Sequence, residues 1–181
     1  FLFFDEAMRA AAPLPMLTVN TVGPTIMRYG TDAQKKFFLP KIAAGDLEFC
    51  IGYSEPNAGT DLASLTTKAV KDGDVCVTAG TEIYTSLASY ADYVWLAART
   101  DPDAPRHRGI AFFLIDMHQP GVEVRPLRDM TGDSEFNEVF LTDAVVHRPD
   151  VIGSLNDGWR AAMTMLTVER DLDAVGHDGG G

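Results

Sequence analysis

The segment Phe49-Cys50-Ile51-Gly52-Tyr53-Ser54-Glu55-Pro56-Asn57-Ala58-Gly59-Thr60-Asp61 divides this chain into two kinds of sequence. It opens as an apolar, strand-like run and breaks at Glu55-Pro56 into a turn carrying Gly59. It ends on two oxygen-bearing side chains, Thr60 and Asp61. Proline fixes φ and glycine permits φ > 0, so such a turn can aim backbone N–H groups at a ligand. Before the segment the spacing is helical. After it, as far as about residue 145, the spacing is that of strands.

In the first part, Phe4, Ala7, Met8 and Ala11 recur at intervals of three and four, which predicts a helix over 1–12. Pro13 and Pro15 end it. A second helix is expected over 16–29, with Gly23-Pro24 as a kink or boundary and Gly30 as a C-terminal cap. Thr31-Asp32-Ala33-Gln34 has the form of a capping box and opens a short helix through Phe38, limited by Pro40. Gly45-Asp46 turns the chain into the dividing segment.

In the second part, Leu65–Lys71 and Val75–Thr78 are strand-like and flank Asp72-Gly73, which reads as a type I′ hairpin signal. Further strands are expected at Glu82–Ser86, Tyr93–Ala98, Ile110–Ile115, Val122–Val124 and Glu138–Leu141, with a Pro/Asp-rich loop over 100–108. Short strands at this spacing predict an antiparallel sandwich or barrel. From about Asn156 the helical period returns. Trp159, Ala162, Met163 and Leu166 form an apolar stripe, and Glu169 falls on it by spacing. A carboxylate among apolar neighbours has its charged form disfavoured, which moves its pKa towards values useful to a general base. The competing reading is a helix-end glutamate paired with Arg170.

The formal net charge of −11 argues against nonspecific nucleic-acid binding, which requires a basic face. The 46% apolar and 23% charged content is that of a globular protein. Cys50 and Cys76 lack metal or redox spacing and read as buried thiols of a reducing compartment. No apolar run approaches the length of a membrane span and no signal peptide is evident, so a cytoplasmic location is the expectation. Both ends of the 181 residues read as cut.

Five separated pieces resemble the middle portion of the acyl-CoA dehydrogenases. They are Gly52–Asp61; Ile83–Ser86 with Ala91-Asp92-Tyr93; Arg99–Pro102; Gly109-Ile110; and Gly158-Trp159 through Glu169-Arg170. They stand in the family's order, and their spelling resembles bacterial members. The resemblance covers the whole chain but only about half of a typical member. It implies an α+β fold: the end of a helical N-terminal domain over 1–47, an antiparallel β-barrel or sandwich over 48–154, and the start of a C-terminal helical bundle over 155–181. It implies FAD as cofactor, an acyl-CoA thioester as substrate and an electron-transferring flavoprotein as electron acceptor. It also implies assembly into homo- or hetero-oligomers, dimers or tetramers. The chemistry implied is removal of an α-proton by a carboxylate while the β-hydrogen leaves as hydride to the flavin.

By the same resemblance, Ile51, Gly52, Tyr53, Ser54, Gly59 and Thr60 line the flavin ring and pyrophosphate, with Ser54 at the pyrimidine end. Thr60 lies near both the FAD phosphate and the substrate's pantetheine. Tyr84 takes the place of the aromatic, often tryptophan, that packs on the flavin. Thr85 and Ser86 follow it, Ser86 near flavin N5 and O4. Glu169 matches the helix-borne base of a minority of members, including the isovaleryl type; in most, the base comes from a loop in the C-terminal domain. Arg170 matches an arginine that contacts CoA, with Asp171 or Asp173 as competing partners. Two departures stand out: Glu82 occupies a place where many members carry lysine, and His147-Arg148-Pro149 shifts a Val-Pro pair by one residue. The basic loop Arg106-His107-Arg108 reads as a solvated loop. Two rival readings stay open: an oxidase or other flavoenzyme on the same fold, and a non-catalytic subunit of a hetero-oligomer.

Overall fold

A computed structural model describes residues 2–10, 12, 14–156 and 158–177, with side chains for all of these except 4 and 169–177. Four α-helices and eight strands are described: α1 (Leu2–Arg9), α2 (Gly23–Tyr29), α3 (Asp32–Ala44), β1 (Phe49–Gly52), β2 (Lys68–Asp72), β3 (Val75–Ser86), β4 (Tyr93–Arg99), β5 (Ile110–Asp116), β6 (Val122–Leu127), β7 (Phe136–His147), β8 (Val151–Ile152) and α4 (Gly158–His177).

The capping box forms as the sequence predicts. Thr31 Oγ1 accepts from the Gln34 amide at 3.2 Å, and Gln34 Oε1 accepts from the Thr31 amide at 2.7 Å. Gly23-Pro24 marks a boundary, as expected: a π-helix over Leu17–Val22 ends there and α2 begins. Gly30 caps α2 as expected, donating its N–H to the Ile26 carbonyl at 2.8 Å, with φ −68° and ψ 149°, an extended conformation open to any residue. What excludes a side chain there is space, because a Cβ would lie 2.6 Å from the Ile26 carbonyl oxygen. One expectation for the helical part is corrected: α3 does not stop at Pro40 but continues to Ala44. Gly45, at φ 75°, closes it by donating its N–H to Ile42 and Lys41.

The sheet order is β6-β7-β3-β2-β4-β5-β8, mostly antiparallel, with β1 added parallel to β4. The hairpin between β2 and β3 differs from the expected one. Asp72 pairs with Val75, so the two turn residues are Gly73 and Asp74, and only Gly73 has positive φ, 60°. That is the type II′ pattern, which asks for glycine at the first central position.

Strands β4 and β5 are buried on both faces, and alternation sends their side chains into two cores. Trp95, Ala97, Ile110, Phe112 and Leu114 face the helical layer, where Val22, Ile26, Phe38, Ile42, Ala162 and Met165 meet them. Val94, Leu96, Ala98, Ala111, Phe113 and Ile115 face the other way. There they meet Cys76, Val139, Leu141 and Val146 of β3 and β7, so the sheet curls back over itself. Polar contacts fix the layers. Gln34 Nε2 donates to the carbonyls of Pro149 at 2.6 Å and Val151 at 2.9 Å. Thr18 Oγ1 accepts from the Phe49 amide at 2.9 Å and donates to Glu48.

The buried stripe of α4 is Gly158, Ala161, Ala162 and Met165. The expected stripe is corrected accordingly: Met163 is exposed, while Trp159 and Leu166 are half-buried. The helix meets β5 by backbone proximity, since a Cβ on Gly158 would lie 2.8 Å from the Ile110 carbonyl oxygen, and the helix rolls to permit it.

Candidate functional site

The dividing segment leaves β1 at Gly52 and closes a four-residue turn. The Glu55 amide donates to Ala58 O at 2.7 Å and the Ala58 amide donates to Glu55 O at 3.1 Å. Gly59 lies just past this turn, without positive φ and with open space around it, so neither strain nor crowding demands glycine there. Thr60 is exposed beside it. Gly52 is buried. A Cβ on it would lie 3.0 Å from Glu82 Cγ and 3.1 Å from Leu96 and Val94. Ile51 and Tyr53 are half-buried against the helical-layer core.

The far end of β3 comes back to this segment. The Ile83 amide donates to Ser54 O at 2.7 Å, which sets Ser54 beside the start of Tyr84-Thr85-Ser86. A bulge between Glu82 and Thr85 puts Tyr84 at φ 57° and turns its ring outward, 65% exposed, edge-on to Phe136 at 6.4 Å. Ser54 and Ser86 are half-buried. Thr85 is buried, and its Oγ1 has no hydrogen-bond partner among the described residues. The structure thus brings Ser54, Tyr84, Thr85 and Ser86 to one rim. An outward aromatic ring beside hydroxyls, one of them unpartnered, fits a flat ligand with a polar edge such as a flavin.

Behind the rim lies a network that sequence reasoning missed. Glu55, itself buried, accepts from the Thr66 amide at 2.8 Å, the Thr67 amide at 2.6 Å and Thr66 Oγ1 at 2.6 Å. Thr67 Oγ1 donates to Glu82 Oε1 at 2.9 Å, while Glu82 Oε2 has no partner. Burial pushes the Glu82 carboxyl up to about 8; the Thr67 hydrogen bond opposes this and the Glu55 charge adds to it. The departure from lysine at this position was the available signal.

The loop between β4 and β5 is solvated as expected, with Arg106, His107 and Arg108 exposed, and it also touches its neighbours. Arg106 pairs with Asp61 at 3.2 Å, and His107 lies 4.7 Å from the Trp159 ring. Arg99 donates to the Ala63 carbonyl at 2.8 Å. The loop therefore bridges the turn segment and α4. Glu169 and Arg170 belong to α4, but their side chains lie outside those described. A groove of ≈ 770 Å³ between α2 and α4 is lined by Arg28, Tyr29, Arg160, Thr164 and Thr167. These α4 positions lie opposite the buried stripe, so this groove is not the rim site. Among the described residues no helix is long and apolar enough to cross a membrane, and no group of three or more His, Cys, Asp or Glu is placed to hold a metal.

A helical layer on a curled, mostly antiparallel sheet, with an aromatic and hydroxyl rim where the first strand ends, defines an α+β unit. Two family models match it: the acyl-CoA dehydrogenase N-terminal domain over residues 1–46 and the acyl-CoA dehydrogenase middle domain over 50–144. The chain belongs to the acyl-CoA dehydrogenase family. It is 50% identical over 172 residues to acyl-CoA dehydrogenase FadE26 of Mycobacterium tuberculosis, covering 93% of this chain and 43% of that protein. Among solved structures, the Tcur3481-Tcur3483 steroid ACAD matches with 49% identity and TM-score 0.88, over 92% of this chain and 43% of the other. The ChsE4-ChsE5 complex from Mycobacterium tuberculosis matches with 50% identity and TM-score 0.85, over 92% and 43%. A glutaryl-CoA dehydrogenase from Mycobacterium smegmatis in complex with FADH2 matches at 28% identity and TM-score 0.75, over 84% and 38%. The chain spans less than half the length of the relatives it matches.

Proposed function

We propose that this chain forms the rim-bearing part of an FAD-dependent acyl-CoA dehydrogenase in the cytoplasm of a bacterium. The observation that carries the reading is the rim joined by the Ile83 amide to Ser54 O bond, with Tyr84 turned outward beside three hydroxyl residues. Tyr84 supplies a face for the ring. Ser54 and Ser86 supply hydroxyl groups for its polar edge, Thr85 between Tyr84 and Ser86 sits with its hydroxyl enclosed beneath them, and exposed Thr60 serves the phosphates and the pantetheine arm. Bound FAD would accept the β-hydrogen of the acyl group as hydride. Glu169 takes the α-proton as general base, and Arg170 holds the CoA moiety. Electrons then pass to an electron-transferring flavoprotein. The likeness to a steroid ACAD supports acyl-CoA thioesters with a steroid nucleus as the substrate class. The test is Glu169→Gln in the intact protein. The variant is expected to keep its 450-nm flavin band and to lose turnover by roughly 10²–10⁴-fold. Full activity would overturn the assignment of Glu169.

The match to a two-component complex favours a second reading, in which this chain belongs to a subunit of a hetero-oligomer that does no chemistry itself. The purified protein would then lack the flavin band and acquire activity only with its partner subunit. Oxygen uptake without an added electron acceptor would instead mark an oxidase.

A further inference from the structure

Glu82 is fully buried on β3, and its place ties it to the rim from three sides. The next residue, Ile83, donates its amide to Ser54 O. Its Cγ fills the space left open by Gly52. Its Oε1 accepts from Thr67, whose own amide holds Glu55 and whose carbonyl accepts from the Arg99 amide at 2.7 Å. Thr67 is thus the joint between the turn segment, β3 and β4. Gly80 lets it in, because a Cβ there would lie 2.1 Å from Thr67 Oγ1.

The electrostatics of this joint are one-sided. Glu55 already accepts from three donors, the Thr66 and Thr67 amides and Thr66 Oγ1. The charged or titratable groups that bear on Glu82 are Glu55 and the Cys50 thiol of β1, and neither is a cation. Val94 and Leu96 of β4, which share the space around Gly52, and Val139, its cross-strand partner on β7, are apolar. None of the described ion pairs includes Glu82. A second carboxylate here would face Glu55 with one oxygen unpartnered in a dry site.

We propose that Glu82 is a positioning residue for the candidate flavin rim: as a neutral acid bonded to Thr67 it lets Glu55 hold the Ser54–Gly59 turn in place, and its ionisation, although it tightens the Thr67 bond, sets a second buried charge against Glu55 and loosens that turn. This rests on the flavin reading above. It does not touch the ligand; it acts through the turn that does.

The sign of the pH dependence follows from proton counts. The native state keeps the Glu82 proton up to about 8, whereas an unfolded chain releases it near 4.5. Stability from this group is therefore fully present below 4.5, falls tenfold in the folding constant per pH unit up to about 8, and is level above that. Urea unfolding of the intact protein and of Glu82→Gln, from pH 5 to pH 10, isolates this slope as the difference between the two. FAD affinity is measured by fluorescence quenching over the same range. Wild type is expected to lose FAD affinity at least several-fold as pH rises through 8, and Glu82→Gln to keep it. If Glu82→Gln does not fold, Glu82→Met takes its place. FAD bound by both proteins with superimposable pH profiles leaves the flavin reading standing and overturns the role of Glu82. Parallel stability curves overturn it equally. No FAD on either protein at any pH overturns the flavin reading itself, and this role with it.

Discussion

Tyr84 and Leu87, at φ 57° and 60°, bracket Thr85 and Ser86. A left-handed backbone at a bulky residue costs on the order of 1–3 kcal/mol and persists only where the surroundings enforce it. Here β7 enforces it: the pairing lost at Glu82 resumes at Thr85 with Asn137, and the Leu87 amide donates to Glu135 O at 3.0 Å. The strain lies at the rim assigned to the ligand, which is where such strain concentrates. The two cysteines show the opposite, a structural use of a reactive side chain. Burial pushes the Cys50 thiol up to about 12, and burial also raises Cys76. At pH 8 on the order of one Cys50 thiol in ten thousand is ionised. Ellman's reagent at pH 8 is therefore expected to leave Cys50 unmodified in the native protein and to label both thiols in 6 M guanidinium. Rapid native labelling of Cys50, mapped by peptide mass, would contradict its buried place on β1.

At the scale of elements, β3 explains both what was legible and what was not. Its two ends follow from local sequence, but its turn is shifted by one residue to Gly73-Asp74 and its length joins two expected strands into one. Its facing does not follow, because two bulges interrupt the period of two. One lies between Thr78 and Gly80 and the other between Glu82 and Thr85. A shift by one residue exchanges the two faces of a strand. Alternation carried on from buried Cys76 and Thr78 keeps Glu82 inside but would bury Tyr84 as well; the second bulge buries Thr85 instead and leaves Tyr84 exposed. In the structure Glu82 is buried and Ile83 half-buried. The same limit applies to α3. Pro40 is a stop signal locally, yet packing of Phe38 and Ile42 against the sheet carries the helix past it. Motif spelling singled out Ser54, Tyr84 and Ser86, and the Ile83–Ser54 bond brings these positions together. The Glu55–Thr67–Glu82 joint was not legible, since it needs three segments brought together in space. Gly80→Ala tests the joint as an element contact. The added Cβ would meet Thr67 at 2.1 Å, and Thr67 is buried with little room to give. A loss of about 1–3 kcal/mol is expected, read as a lower urea midpoint with unchanged m-value. A neutral result would mean that Thr67 is free to swing away, and would weaken the joint as described.

For the whole molecule, the question is how one sheet serves as the floor of two cores. Adjacent residues of β5 answer it. Phe112 packs on Trp95, 5.4 Å between ring centroids, on the side where α2, α3 and α4 lie. Phe113 points the other way, among residues of β3 and β7. Each ring is fully buried, so truncation to alanine should cost about 3–5 kcal/mol in either case. Equal cost does not mean equal consequence. Phe112→Ala removes the floor under the helical layer, and amides of α2 and α3 should exchange faster while those of β3 and β7 keep most of their protection. Phe113→Ala should do the reverse, and by loosening β3 it should also speed exchange at the Ile83 amide that holds Ser54. The two cores share the β4 and β5 backbones, so both variants should still unfold in a single transition. Hydrogen exchange resolved by peptide mass decides the matter. Uniform acceleration across both layers in each variant would show that the sheet does not separate two cores, and that the rim's stability is not set from the β3 side.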